Sequence, residues 1–189
     1  KIRFQVNPLP DAKAVDHGQL KGRNAMSATH FQNKTDEWYT PMSVVELMFD
    51  LLDIKEPSTI MLPFDTEDSN FVKHASAIGA HNLWYNIRNW LDKDYTYDYL
   101  ITNQPFSIKD KVIEKCYKSG KPSALLLPLD SLGGVKRHQL FKTYGFPTIY
   151  IPTKRIGYHD QSGALKKGVG FHSIIMIIND PQGSRLIWE

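Results

Sequence analysis

The feature that most constrains the fold is an alternation of short apolar runs with helical segments, which extends from Thr59 to Tyr144. The apolar runs have the length of buried strands, and the segments between them carry apolar residues at the three-to-four spacing of amphipathic helices. Alternation of this kind favours a mostly parallel sheet that is covered by helices on both faces. We therefore predict strands over 59–63, 81–87, 97–102 and 124–128, and helices over 70–78, 109–118 and 136–144.

Further elements flank this pattern on both sides. Apolar residues between Val44 and Leu52 recur at helical spacing, and Pro41 suits the first turn of that helix. Later strands are predicted over 148–152, 171–178 and 185–188, and the turn-rich loop 179–183 suits an antiparallel hairpin of the last two. We expect an irregular arm over 1–35 and a single α/β domain over 36–189, with a mostly parallel sheet that ends in an antiparallel C-terminal hairpin.

The composition narrows the cellular setting and the chemistry. A net charge of +3 permits contact with a polyanion but does not require it. The single cysteine, Cys116, excludes an internal disulfide, fits a reducing cytoplasm and is expected to lie buried in a helix. The longest apolar run, 174–178, is too short to cross a membrane. The histidines lack metal-like spacing, so we expect a cytoplasmic protein with no metal and no membrane contact.

The sharpest local signal is the segment 98–107, an apolar strand that leads into Asn103-Gln104-Pro105-Phe106. Open α/β sheets bind ligands at this end of a strand. The Asn103 side-chain oxygen and the Gln104 backbone carbonyl, which Pro105 restricts in direction, can accept hydrogen bonds from an amine. Phe106 can stack on a base taken out of a duplex. The same four residues also suit a plain strand-to-helix turn with Phe106 in the core.

Asn103-Gln104-Pro105-Phe106 resembles the Asn-Pro-Pro-Phe/Tyr motif of amino-methyltransferases. The upstream stretch 31–41, which contains Asp36-Glu-Trp-Tyr-Thr-Pro41, is similar to the opening segment of phage-encoded DNA N6-adenine methyltransferases. The stretch 154–158 and the strand 171–176 are similar to the last third of that family. The resemblance covers about residues 30–178, and it implies a Rossmann-like methyltransferase fold and methyl transfer from S-adenosylmethionine to adenine N6.

The resemblance also nominates cofactor-binding residues. The opening segment and the loop after the first strand line the cofactor pocket in this family, although the family's loop is usually rich in glycine and this one has none. Asp65 or Asp68 can meet the cofactor's amino group, and Asn70 can cap the next helix. Trp90 can flank the adenine of the cofactor. The full set comprises Tyr39, Thr40, Pro41, Pro63, Phe64, Asp65, Asp68, Asn70 and Trp90.

Basic residues near the predicted strand ends can contact a nucleic acid backbone. DNA is the expected partner, RNA is not excluded, and a protein partner is possible because little chain is available for reading bases. Such lysines and arginines also fit an ordinary solvated surface. The candidates are Lys136, Arg137, Lys154, Arg155, Lys166 and Lys167.

Two functions remain open at this stage. The first is an S-adenosylmethionine-dependent methyltransferase that acts on adenine N6 in DNA. The second is a catalytically inactive relative, encoded by a phage or prophage, that acts as a binding or decoy protein through nucleic-acid or protein contacts. Gln104 and the loop without glycine favour the second function.

Overall fold

The protein is described by a computed structural model, which covers residues 39–159 and 171–188. These residues form four helices and seven strands. In chain order they are α1 (Met42–Leu52), β1 (Thr59–Leu62), α2 (Asn70–Ala77), β2 (Asn82–Tyr85), β3 (Tyr99–Thr102), α3 (Lys109–Ser119), β4 (Ser123–Pro128), α4 (Val135–Tyr144), β5 (Thr148–Ile151), β6 (Ser173–Ile178) and β7 (Leu186–Trp188). Short 3-10 turns follow β3 and β4.

All seven strands form one sheet in the order β2-β1-β3-β4-β6-β5-β7. Strand β6 runs antiparallel to both of its neighbours, β4 and β5, whereas all other pairs are parallel. The parallel strands therefore end at the same edge of the sheet. β4 and β6 are buried along their whole length, which explains why both consist mainly of Leu, Ile and other apolar residues.

Helices cover both faces of the sheet, and each face has its own apolar core. On one face, α1 and α2 pack through residues such as Met48 and Phe71 against β1, β3 and β4. On the other face, α3 packs through residues such as Ile113. Helix α4 lies outside α3 and has no buried residue, although Leu140 and Phe141 pack against the second core. The carboxyl edge of the sheet lies between these two layers.

The predicted fold class is confirmed, and the ends of the predicted strands and later helices lie within two residues of those observed. The prediction of a paired C-terminal hairpin is wrong. β7 runs antiparallel to β6, as expected, but β5 lies between them and pairs with both strands. The loop 179–183 therefore passes the end of β5. An apolar pattern predicts that β7 is a strand, but it does not specify which strand is its neighbour.

Three further expectations concern Cys116, the N-terminal arm and membrane-spanning helices. Cys116 is fully buried in α3, as predicted, and burial raises the pKa of its thiol to about 12. The predicted arm, 1–35, lies outside the described residues. Within 39–159 and 171–188, no helix combines the length and the apolar character that a membrane crossing requires.

Candidate active site

The order of the strands in the sheet reverses between β1 and β3, and the crevice of the candidate site lies at the carboxyl edge beside this reversal. β1 pairs with β2 on one side and with β3 on the other, so the connections after β1 and β3 diverge at the carboxyl edge. Open α/β sheets bind ligands at such a switch point. The two segments that meet here are the loop after β1, which starts at Pro63, and the turn Asn103-Gln104-Pro105-Phe106 after β3.

Hydrogen bonds from two asparagines join these segments to Thr40. The Nδ2 atom of Asn103 donates to the Thr40 hydroxyl at 3.1 Å, and the Nδ2 atom of Asn70 donates to the Thr40 carbonyl at 2.9 Å. Tyr39 and His159 form a short antiparallel bridge through two backbone hydrogen bonds of 3.1 Å. Thr40 is buried. Tyr39 and Thr40 thus contact three other parts of the chain, at Asn70, Asn103 and His159.

Asn70 was expected to cap α2, and that expectation is wrong. The N-cap is Ser69, whose hydroxyl accepts from the Val72 backbone at 3.2 Å. Asn70 occupies the first position of the helix, and its side chain reaches Thr40 instead. Both Ser and Asn are good cap residues, so the sequence does not distinguish them.

Gln104 and Pro105 shape the turn after β3. Gln104 is 1% exposed, and its Nε2 atom donates to the Leu126 carbonyl of β4 at 3.0 Å. Pro105 precedes the 3-10 turn Phe106–Ile108, and its carbonyl accepts from the Ile108 backbone at 3.2 Å. The sequence predicted a role for the backbone carbonyl of Gln104 but not this side-chain contact.

Aromatic side chains line the far side of the turn. The rings of Phe106 and Phe171 meet edge to face, with centroids 5.3 Å apart, and both residues are half-buried. Tyr158 lies behind Phe171 at 6.3 Å, and the Tyr158 and Ser173 hydroxyls are hydrogen-bonded at 2.7 Å. Phe171 was predicted only as the start of a strand. The contact is long-range, so local periodicity gives no sign of it.

Of the three acids in the loop after β1, only Asp65 is partly withdrawn from solvent. The Oδ2 atom of Asp65 is buried and has no hydrogen-bond partner within the described part of the chain. Burial raises the pKa of Asp65 from 3.8 to about 7, and the neighbouring Ser69 hydroxyl offsets only part of that rise. Asp68 is exposed. A cationic group in the crevice would supply the partner that the Asp65 carboxylate lacks.

Pro63 is buried and Phe64 half-buried, so these two bulky residues take the place of a glycine-rich loop. Trp90 is fully buried, with its ring 5.9 Å from Phe64 in an edge-to-face contact. The prediction that Trp90 flanks a ligand directly is therefore revised, because its ring has no exposed surface. Trp90 instead supports Phe64 from inside the core.

Several solved structures resemble this arrangement, although no protein-family model and no curated protein matches the sequence. A Listeria monocytogenes protein assigned to the class I S-adenosylmethionine-dependent methyltransferases superposes with a TM-score of 0.51 at 12% identity, covering 79% of this chain and 65% of that chain. The chain has a Rossmann-like methyltransferase fold. A modification subunit assigned to a type I restriction enzyme of Vibrio vulnificus has the same TM-score at 13% identity, covering 82% of this chain and 46% of that chain.

The chain therefore spans less than two thirds of each of these two structures. At such low identity the likeness shows the fold alone.

The basic candidates differ in exposure. Lys136 is exposed at the start of α4, and Lys154 and Arg155 are exposed after β5. The guanidinium of Arg137 forms an ion pair with Asp110 of α3 and donates to the Gly133 carbonyl at 2.5 Å. Its side chain is only 14% exposed, so the prediction that Arg137 faces a nucleic acid is revised. Lys166 and Lys167 lie outside the described residues.

A metal centre finds no support in the residues that the structure describes. No three His, Cys, Asp or Glu side chains there lie close enough to hold a metal ion. The potential donors at the crevice are instead amide and hydroxyl groups together with the single carboxylate of Asp65.

Proposed function

We propose that the protein is an S-adenosylmethionine-dependent methyltransferase that acts on the N6 amine of adenine in DNA. The observation that carries this proposal is the placement of Asn103 beside the switch-point crevice, with its amide anchored to Thr40 and Phe106 three residues further on. The fold supports a class I methyltransferase. The polar turn at its carboxyl edge supports an amine as the acceptor.

Asp65 fits the amino group of the cofactor. A buried carboxylate oxygen without a partner is costly, and an ammonium group would satisfy it. Asp68 is a weaker candidate because water already solvates it. Phe64 and Pro63 would contact the apolar parts of the cofactor, and Pro41 and Thr40 would close the pocket from the other side. When bound, S-adenosylmethionine supplies an electrophilic methyl group on a positively charged sulfur.

The turn after β3 fits the acceptor base. The lone pair of an adenine amine is delocalised into the ring, so the amine is a poor nucleophile until its hydrogens are held by acceptors. The Asn103 amide donates to Thr40 through Nδ2, which turns its oxygen away from Thr40. That oxygen and the Gln104 backbone carbonyl would accept the two N6 hydrogens. The protein would thereby localise the lone pair and aim it along the crevice.

Phe106 and Phe171 would hold the base once it has left the duplex. Both rings are half-buried, so each retains some exposed surface. Stacking on an aromatic side chain is worth about 1–3 kcal/mol per base. The exposed Lys136, Lys154 and Arg155 would contact phosphates around the site without reading sequence.

The second candidate is a non-catalytic relative that binds nucleic acid or protein. The loop after β1 favours it, because Pro63 and Phe64 stand where glycines would let the backbone approach a cofactor closely. A binding protein of this kind would retain affinity for its partner in the absence of S-adenosylmethionine. It would transfer no methyl group.

The proposal is tested by incubating the protein with S-adenosylmethionine and adenine-containing DNA, then digesting the DNA and measuring N6-methyladenine by mass spectrometry. Duplex DNA, single-stranded DNA and RNA serve as parallel substrates. Asn103→Ala is expected to lower kcat about 100- to 1,000-fold, the range seen when one oriented hydrogen-bonding group is removed from an active site. Cofactor affinity is expected to change less than kcat, because Asn103 reaches the proposed cofactor pocket only through its hydrogen bond to Thr40.

Asn82→Ala is the matched control, because Asn82 lies at the start of β2, at the opposite edge of the sheet. Its activity should equal that of the wild type. If Asn103→Ala methylates DNA as fast as the Asn82 control, the assignment of the amine-binding residue is wrong. If the wild type binds DNA but methylates none of the three substrates, the non-catalytic reading replaces the proposal.

A further inference from the structure

The turn at the carboxyl end of β3 is held by the side chain of Gln104 in a way that the proposed chemistry does not itself require. The ladder between β3 and β4 ends at the pair Thr102 and Leu125. Two residues later, the Gln104 Nε2 atom donates to the Leu126 carbonyl at 3.0 Å. A side chain thus extends the attachment of β3 to β4 beyond the last backbone pair.

The strand that receives this hydrogen bond is firmly held in the sheet. β4 is buried throughout, and Leu126 is paired on its other side with Ile175 of β6. A carbonyl oxygen only accepts, so the Gln104 atom that faces Leu126 must be the nitrogen. The orientation of the Gln104 amide is therefore fixed by its partner.

Three hydrogen bonds stabilise the turn. Asn103 is bonded to Thr40, Gln104 to Leu126, and the Pro105 carbonyl to the backbone of Ile108. Only the second of these fastens the turn to the central strands of the sheet.

Stability alone does not account for a glutamine at this position. Its Oε1 atom is buried and has no hydrogen-bond partner among the described residues. A buried amide with an unsatisfied oxygen stabilises a fold less than an apolar side chain of the same length. The amide is therefore better explained by the direction it gives to the turn.

We infer that Gln104 is a positioning residue, whose side-chain bond to β4 holds the Gln104 backbone carbonyl and Asn103 in the orientation needed to bind the acceptor amine. This inference rests on the proposed function. It assigns the side chain of Gln104 a role separate from that of its backbone carbonyl, and it explains how a turn with a single proline is kept rigid.

The test compares Gln104→Met, which has similar length but no donor, with the wild type. We expect kcat for methyl transfer to fall about 10- to 100-fold, as a displacement of about 1 Å in reacting groups produces. The dissociation constant for S-adenosylmethionine should not change, and amide hydrogen exchange in residues 103–107 should become faster. Gln182→Met is the matched control, because Gln182 is exposed in the loop before β7, and its kcat should equal that of the wild type.

A second variant separates positioning from packing. In Gln104→Glu, the neutral carboxyl group retains an O–H donor for Leu126, whereas the carboxylate has none. The ratio of its kcat to that of the wild type should therefore rise as the pH is lowered. Per molecule of folded protein, a side chain that only fills space would give the same ratio at every pH, because the cost of burying its charge would appear as unfolding.

A wild-type kcat in Gln104→Met overturns the inference. A lower kcat in Gln104→Met also overturns it if hydrogen exchange in residues 103–107 is unchanged and Gln104→Glu loses the same activity at every pH. Failure of the proposed function gives a different result. If the wild type transfers no methyl group, hydrogen exchange still tests the anchor: unchanged protection in Gln104→Met overturns it, and faster exchange supports it.

Discussion

Asp65→Asn tests how the protein would recognise a cationic cofactor. The Oδ2 atom of Asp65 is buried without a hydrogen-bond partner among the described residues, and burial raises the pKa of this carboxyl to about 7. An ammonium group binds the ionised carboxylate, and that form is scarce below the pKa. The α-amino group of a cofactor such as S-adenosylmethionine stays protonated up to about pH 7.7–8.0. The ionisation of Asp65 should therefore control how cofactor affinity depends on pH below neutrality.

The magnitude follows from the fraction of Asp65 that is ionised. With a pKa of about 7, half is ionised at pH 7.0 and about 3% at pH 5.5, so apparent affinity should fall about 15-fold between these values, or about 1.6 kcal/mol. Asp65→Asn should bind the cofactor weakly and with no such slope. Isothermal titration calorimetry at pH 5.5, 6.0, 6.5 and 7.0 measures both effects.

Glu67→Gln is the matched control, since it removes one exposed carboxylate from the same loop and should keep the wild-type slope. The stability of the ligand-free protein should show the opposite trend. Asp65 ionises near 3.8 when unfolded and near 7 when folded, so rising pH favours the unfolded chain between these values, by at most about 4 kcal/mol. Equal pH slopes of cofactor affinity in the wild type and Asp65→Asn would refute the assignment of Asp65.

Two further predictions concern the acceptor. Phe106→Ala should weaken DNA binding in the methylation reaction about 10- to 100-fold through loss of stacking, measured as KM for DNA, whereas Phe146→Ala at the opposite edge should have no effect. An unchanged KM would place the base elsewhere. Lys136→Ala and Lys154→Ala should each reduce the slope of log K for DNA binding against log salt concentration, by up to about the amount that one phosphate contact contributes. Lys142→Ala should leave this slope unchanged. If the wild type and all three lysine variants give the same slope, Lys136 and Lys154 do not contact DNA phosphates.

The fold was largely predictable because its strands are short and strongly apolar and its helices carry a clear period. Residues such as Leu126 and Ile175, in runs without alternation, indicate strands buried on both faces. The neighbour of β7 was not predictable. Its pairing with β5 depends on where β6 inserts in the sheet, and a short turn-rich loop is compatible with either arrangement.

The candidate site was predictable in its position but not in its contacts. The motif placed Asn103 and Phe106 at a strand end, where the structure has them. The contacts from Gln104 to Leu126 and from Phe106 to Phe171 join residues 22 and 65 positions apart, as the numbering shows, and no local pattern encodes such distances. Trp90 and Arg137 differ from expectation for the same reason, since their partners are distant in the sequence. Trp90 is enclosed in the core beside Phe64, and Arg137 forms an ion pair with Asp110.

Direct titration of the wild type with S-adenosylmethionine tests most simply whether the crevice beside β1 binds this cofactor. We predict saturable binding with one site per chain at neutral pH, and loss of most of that affinity in Asp65→Asn. No detectable binding at millimolar cofactor would refute the proposed function and leave the non-catalytic binding protein as the better explanation of this fold.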